Sequence, residues 1–128
     1  MVHLAKSACL LGFVVFMGGS APALAEGCEG LDQAALAGCV GEALTAADAE
    51  LNSTFDAAMG ALVDTPAQGQ LRDAQRLWIP FRDAACAAEA AVYDGASVQP
   101  IARAQCLLRI TLARTADLAA ILNGDGWN

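Results

Sequence analysis

The chain has a single histidine and a single lysine, and both, His3 and Lys6, fall within its first 25 residues. From Glu26 onward no imidazole and no side-chain amine remain. The commonest general base, the commonest metal ligand and the usual amine nucleophile are therefore missing. Basic charge is scarce as well. Between Glu26 and Asn128, six arginines stand against fourteen acidic residues, a net charge of −8. With no basic face to displace phosphate counterions, nucleic-acid binding is disfavoured, and a basic partner would be attracted instead. Alternating strand patterns of any length are also lacking.

The first 25 residues read as a secretory signal. His3 and Lys6 form a short positive start, Ala8 to Met17 an apolar core, and Ala23-Leu24-Ala25 a small-x-small cleavage pattern before Glu26. The apolar run is shorter than the roughly 20 residues a membrane span needs. A periplasmic or secreted protein is expected, with no stable span once the signal is removed. Cys9 goes with the signal, leaving Cys28, Cys39, Cys86 and Cys106. An even count behind an export signal points to two disulfides in an oxidising compartment. Their spacings do not resemble zinc sites, so neither a metal nor a cofactor is expected. A second reading stays open at Cys28. Leu24-Ala25-Glu26-Gly27-Cys28 approximates a lipoprotein box, although it is one residue too long and carries a Glu among the expected small residues. Lipidation there would also strand one of the other three cysteines.

The rest of the chain, 26–122, reads as one all-α domain, with 123–128 as a flexible tail. Asp32 is placed to cap a first helix. Leu36, Val40, Leu44, Ala47, Leu51, Phe55, Ala58 and Leu62 then recur every three or four residues. Asp64-Thr65-Pro66 marks a turn into a second helix. There Leu71, Ala74, Trp78, Phe81, Ala85, Ala88 and Val92 predict a buried stripe, with Arg72, Asp73, Arg76 and Asp83 turned away. Leu71, Trp78 and Phe81 are the expected core of this helix, and Pro80 predicts a kink near 76–79. The second helix should end at Asp94-Gly95. Pro100 opens a third helix, whose line runs through Ile101, Gln105, Leu108, Leu112, Thr115, Ala119 and Leu122.

Three helices joined by short loops form an antiparallel up-down bundle. In that layout Cys86 and Cys106 lie at similar heights, roughly 10–12 Å from the connector between the second and third helices. A Cys86–Cys106 bridge is therefore easy to form, leaving Cys28–Cys39 to tie the N-terminal segment to the first helix. Each bridge should contribute about 3 kcal/mol by loop closure.

Several segments together resemble the LprI-type lysozyme-inhibitor family. They are Ala47-Asp48-Ala49-Glu50-Leu51-Asn52, Leu71-Arg72-x-Ala74-Gln75-Arg76-x-Trp78 and Phe81-Arg82-Asp83-x-x-Cys86, followed by Tyr93-x-Gly95-x-Ser97, Cys106 and Thr111-x-x-Arg114-x-x-x-Leu118. The likeness covers about Cys28 to Leu118. It implies a small, exported, helical, disulfide-bonded envelope protein, of a kind in which some members inhibit lysozyme. Pro80 and Ala96 depart from the family pattern, at a helix former and at a position often held by Gly.

Arg82, one turn after Trp78, is placed to cover the indole. Asp83 is expected to reach Arg103 or Arg109 on the third helix, and not its neighbour Arg82, because adjacent residues point to different faces. The connector residues Asp94, Gly95, Ser97 and Gln99 are the best loop for partner contact, small, polar and pinned by the expected bridge below. Glu42, Asp48, Glu50, Asp56, Asp73 and Asp83 could form an acidic face. No pair of carboxylates is identifiably held in a cleft, so an enzyme is not expected. The expected function is to bind and occlude a basic lysozyme or related muramidase. The alternative is a non-inhibitory envelope module, structural or stress-related, that binds another protein.

Overall fold

The computed structural model describes residues 26–124. The expected signal at 1–25 and the last four residues, Trp127 among them, lie outside the described residues. A short 3₁₀ turn, Glu26–Cys28, leads into α1 (Gln33–Ala61), α2 (Pro66–Ala91) and α3 (Gln99–Asn123). The fold of the described residues is all-α, a three-helix bundle held by two disulfides, Cys28–Cys39 and Cys86–Cys106.

Each helix end has a local cause. The Asp32 carboxylate accepts the Ala35 N–H at 2.9 Å and caps α1. α1 then continues through Gly38 and Gly41 without a break. At its far end the carbonyls need partners outside the helix. Gln68 Nε2 donates to Met59 O at 3.0 Å, and Thr65 Oγ1 donates to Leu62 O at 2.7 Å. Pro66 sits in the first turn of α2 and Pro100 in the first turn of α3, where a missing N–H costs nothing. α2 remains helical on both sides of Pro80. It ends at Ala91, three residues before the expected Asp94, and Gly95 takes positive φ (76°) inside the connector. Gly124 closes α3 in the left-handed conformation.

α3 is the spine of the bundle. It packs along both other helices, whereas α1 and α2 barely touch. Small residues let α1 lie close: Ala43, Ala47 and Ala58 are buried, and Ala43 and Ala47 pack on Leu108 with Leu44 and Leu112 alongside. Toward the α1–α2 turn, Leu51, Ala58, Leu71 and the fully buried Leu118 form the larger core, flanked by Phe55, Met59, Leu62 and Trp78.

The buried line of α2 differs from the expected one. Leu71 and Trp78 face inward, but they are joined by Gln75, Arg82, Cys86 and Ala90. Phe81 is outside, 62% exposed, and Val92 is 80% exposed, while Ala74 and Ala88 also face solvent. The rotation follows from the disulfide. Cys86 has to face Cys106 on α3, and five helical residues separate Phe81 from Cys86 by roughly 140° around the axis. A face that contains the cysteine cannot also contain Phe81.

Candidate functional site

Where the three helices meet, the inward line of α2 carries a cation. Arg82 Nη1 donates to Asp48 Oδ1 on α1 at 2.9 Å and to Thr111 Oγ1 on α3 at 3.2 Å. Its Nε donates to Asp83 Oδ1 at 3.1 Å, and its guanidinium lies 5.2 Å from the Trp78 ring centroid. Among the described residues, the Arg82–Asp48 pair is the one salt bridge between α1 and α2. The stacking on Trp78 matches expectation, but the Asp83 contact corrects it. Adjacent side chains diverge at Cβ, yet the long arginine stem curls back to its neighbour's carboxylate. Asp83 consequently does not bind an arginine of α3. Arg109 pairs instead with Glu89 at 2.7 Å, a solvent-exposed contact. Asp48 and Asp83 both turn toward the one Arg82 guanidinium. This junction is built to join helices.

The second notable region is the end of the bundle where the α2–α3 connector lies. Tyr93 O accepts from the Ala96 N–H at 3.0 Å and Ala96 O from the Gln99 N–H at 3.1 Å, folding the connector into two successive turns. Asp94, Gly95 and Ser97 lie on it and are exposed, while Gln99 is the first, half-buried residue of α3. Ser97 Oγ accepts from Gln33 Nε2 at 2.9 Å, tying the connector to the start of α1. The N-terminal segment therefore shares this end. Its Cys28–Cys39 bridge holds the chain against α1, and Cys86–Cys106 holds α2 against α3 below the connector. The sulfur a lipoprotein reading would modify is engaged in the first of these bridges.

Exposed apolar side chains gather here: Leu31 beside the α1 cap, and Val92, Tyr93 and Val98 in the connector. Asp32 and Asp94 are exposed among them. Below the tip, an open apolar groove of about 730 Å³ runs between the N-terminal segment, Leu36 and Val40 of α1, and Leu108 and Leu112 of α3. A smaller depression of about 360 Å³ opens toward Glu89 and Tyr93, and the two share Gln105 and Arg109. From sequence, Leu31 and Val98 were missed, and Tyr93 stood out only within the family-like Tyr93-x-Gly95-x-Ser97 and not as a contact residue. Each lies outside the periodic stripes, next to a turn, where exposure depends on how the chain folds back. Among the described residues no group of three or more His, Cys, Asp or Glu is placed to hold a metal. Nor is any helix there long and apolar enough to cross a membrane. Of the expected acidic face, Glu42, Glu50 and Asp56 project outward from α1 and Asp73 from α2, whereas Asp48 and Asp83 are drawn in by Arg82.

Comparison with known families decides what kind of protein this architecture belongs to. The model of the family described as "Lysozyme inhibitor LprI" matches residues 28–118. The chain belongs to the LprI lysozyme-inhibitor family. The matched span opens at the first bridged cysteine, closes at the buried Leu118, and takes in the connector and the Arg82 junction. A family described by inhibition is one of binding proteins and not of catalysts. An uncharacterized protein of Rhizobium meliloti (strain 1021) is 32% identical over 96 residues, covering 66% of this chain and 69% of its own. No solved structure matches the chain.

Proposed function

We propose that the protein is exported by residues 1–25, then binds a lysozyme or related muramidase through the connector end of the bundle and covers its substrate cleft. The observation that carries this reading is the gathering of Leu31, Val92, Tyr93 and Val98 on one end that two disulfides stiffen. A surface already held in shape loses little entropy on binding, so apolar contact there is converted efficiently into affinity. Membership of the LprI family supports the choice of partner.

Attraction and contact fall to different parts of the chain. The net charge of −8 over residues 26–128 draws a basic enzyme from a distance. A glycosidase cleft carries two carboxylates of its own, so an acidic tip would be repelled from its centre. The uncharged Tyr93 and Val92 suit that centre, with Asp94 and Asp32 meeting basic groups around its rim. Mixing the oxidised protein with c-, g- and i-type lysozymes tests the reading. Inhibition of at least one class is expected, weakening as salt rises. No inhibition of any class at large molar excess leaves the non-inhibitory envelope module as the better account.

A further inference from the structure

The outward face of α2 carries an apolar strip that packs on nothing in the bundle. Ala74, Leu77, Phe81, Ala84, Ala88 and Val92 recur every three or four residues, and all are exposed. Leu77 is 74% and Phe81 62% exposed, which is unusual for large apolar side chains one turn apart on a single helix. The helix's charged residues lie off the strip: Arg82 and Asp83 are engaged at the junction, Glu89 pairs with Arg109, and Arg72 and Arg76 point to the flank. Asp73, at the N-terminal end, is the charge nearest to it.

We infer that this strip is a two-fold interface between two copies of the chain, with their α2 helices antiparallel. The order of side-chain sizes along the strip is self-complementary. A two-fold axis between residues 82 and 83 sets Phe81 of each copy opposite Ala84 of the other, and Leu77 opposite Ala88, so the two bulkiest groups each meet a small one, while Val92 at the margin falls opposite Asp73. Charge selects the direction. Parallel helices would put the two Asp73 carboxylates side by side. The antiparallel pair separates them by roughly 28 Å along the axis, well beyond the Debye length. With a net charge of −8 over residues 26–128, this uncharged strip is also where a second copy approaches against least repulsion.

Area sets the strength. From Ala74 to Val92 the strip is roughly 27 Å long and about one helix wide, so pairing buries on the order of 1,000 Å² in total, the low end for specific contacts. The expected dimer is weak and reversible, with Kd roughly 10–100 µM. The strip runs along the side of α2 and shares only Val92 with the connector end, so Leu77 and Phe81 report on it independently of the proposed lysozyme contact.

Sedimentation equilibrium of the oxidised protein between about 5 µM and 1 mM tests it. The wild type should pass from monomer to dimer and no further. Phe81→Glu and Leu77→Glu should each weaken association at least tenfold while keeping the wild-type helical circular dichroism. Val63→Glu adds the same charge at an apolar side chain exposed elsewhere, and should associate like the wild type. A wild type that stays monomeric to 1 mM would overturn the inference and leave the strip to a different protein. So would association that Val63→Glu weakens as much as Phe81→Glu, or that continues beyond a dimer.

Discussion

Replacing Arg82 by Met keeps most of the aliphatic stem and removes the guanidinium that joins the three helices. Three consequences can be weighed from the structure. The Arg82 side chain is 16% exposed, but those of Asp48 and Asp83 are 45% and 48% exposed. Both carboxylates would regain water, so each lost ion pair should cost only about 0.5 kcal/mol, as surface pairs do. The Thr111 hydroxyl is different. The residue is fully buried, and losing its partner leaves a polar group away from water at about 1 kcal/mol or more. Loss of the guanidinium from the Trp78 face adds about 0.5–1 kcal/mol. The expected total is about 2–3 kcal/mol, or a fall in Tm of roughly 10–20 °C for a domain of this size. Guanidinium unfolding of the oxidised protein, followed by circular dichroism, measures it. Thr111→Val supplies the cross-check. Combined with Arg82→Met it should cost less than the two single changes added together, since no buried hydroxyl is left without a partner. A loss below about 0.5 kcal/mol for Arg82→Met, or strict additivity in the double variant, would refute the assignment of Arg82 as the link between helices.

Other substitutions separate the inner and outer faces of α2. Trp78→Ala should destabilise by about 2–4 kcal/mol, because the indole packs beside Leu51, Leu71 and Leu118, whereas Phe81→Ala in dilute solution should cost less than about 1 kcal/mol. Leu118→Ala, at a fully buried position, should cost about 3–5 kcal/mol in the same unfolding assay. The paired change Cys86→Ser with Cys106→Ser opens a loop of 20 residues and should lower stability by about 3 kcal/mol, read from the denaturation midpoint. Gly95→Ala forces a side chain into positive φ and should cost about 1–2 kcal/mol, visible as a lower Tm.

Much of the architecture was legible because one residue period runs through most of it. The first helix shows its apolar line from Leu36 to Leu62 without interruption, and its capping Asp32 stands where the side chain is needed. Pro66, Pro100 and the glycines after the helices mark the ends by their own backbone preferences. The pairing of the cysteines followed from their heights in an antiparallel hairpin. Less visible was the rotation of α2, since this helix has apolar residues on two faces. Periodicity shows that each face exists but does not rank them. The ranking comes from Cys86, whose bond to Cys106 turns Phe81 outward, and from Arg82, whose three partners lie on two helices and on its own neighbour. A polar residue such as Gln75 inside that line has no apolar signal. It is buried beside Arg114, whose Nε donates to the Gln75 side-chain oxygen Oε1 at 3.0 Å.

The connector was recognisable as a loop from Gly95 and Pro100, and its residues Asp94 and Ser97 are exposed in the structure. The apolar tip around it was not. Leu31 and Val98 come from segments 67 residues apart, and nothing in local sequence brings them to one end. The parallel course of α1 and α3 does so, fastened by the Gln33–Ser97 hydrogen bond.

The most direct test is a titration of a susceptible lysozyme with the oxidised protein, reading the rate at which a peptidoglycan suspension clears, for the wild type and for a Val92→Glu/Val98→Glu variant. Both positions are exposed, so the fold should be unaffected while like charge is carried into the contact with the cleft. The wild type should inhibit, and the variant should need at least a tenfold higher concentration for the same effect. A variant as potent as the wild type, or a wild type without effect at large excess, would contradict the assignment of the connector end as the binding surface.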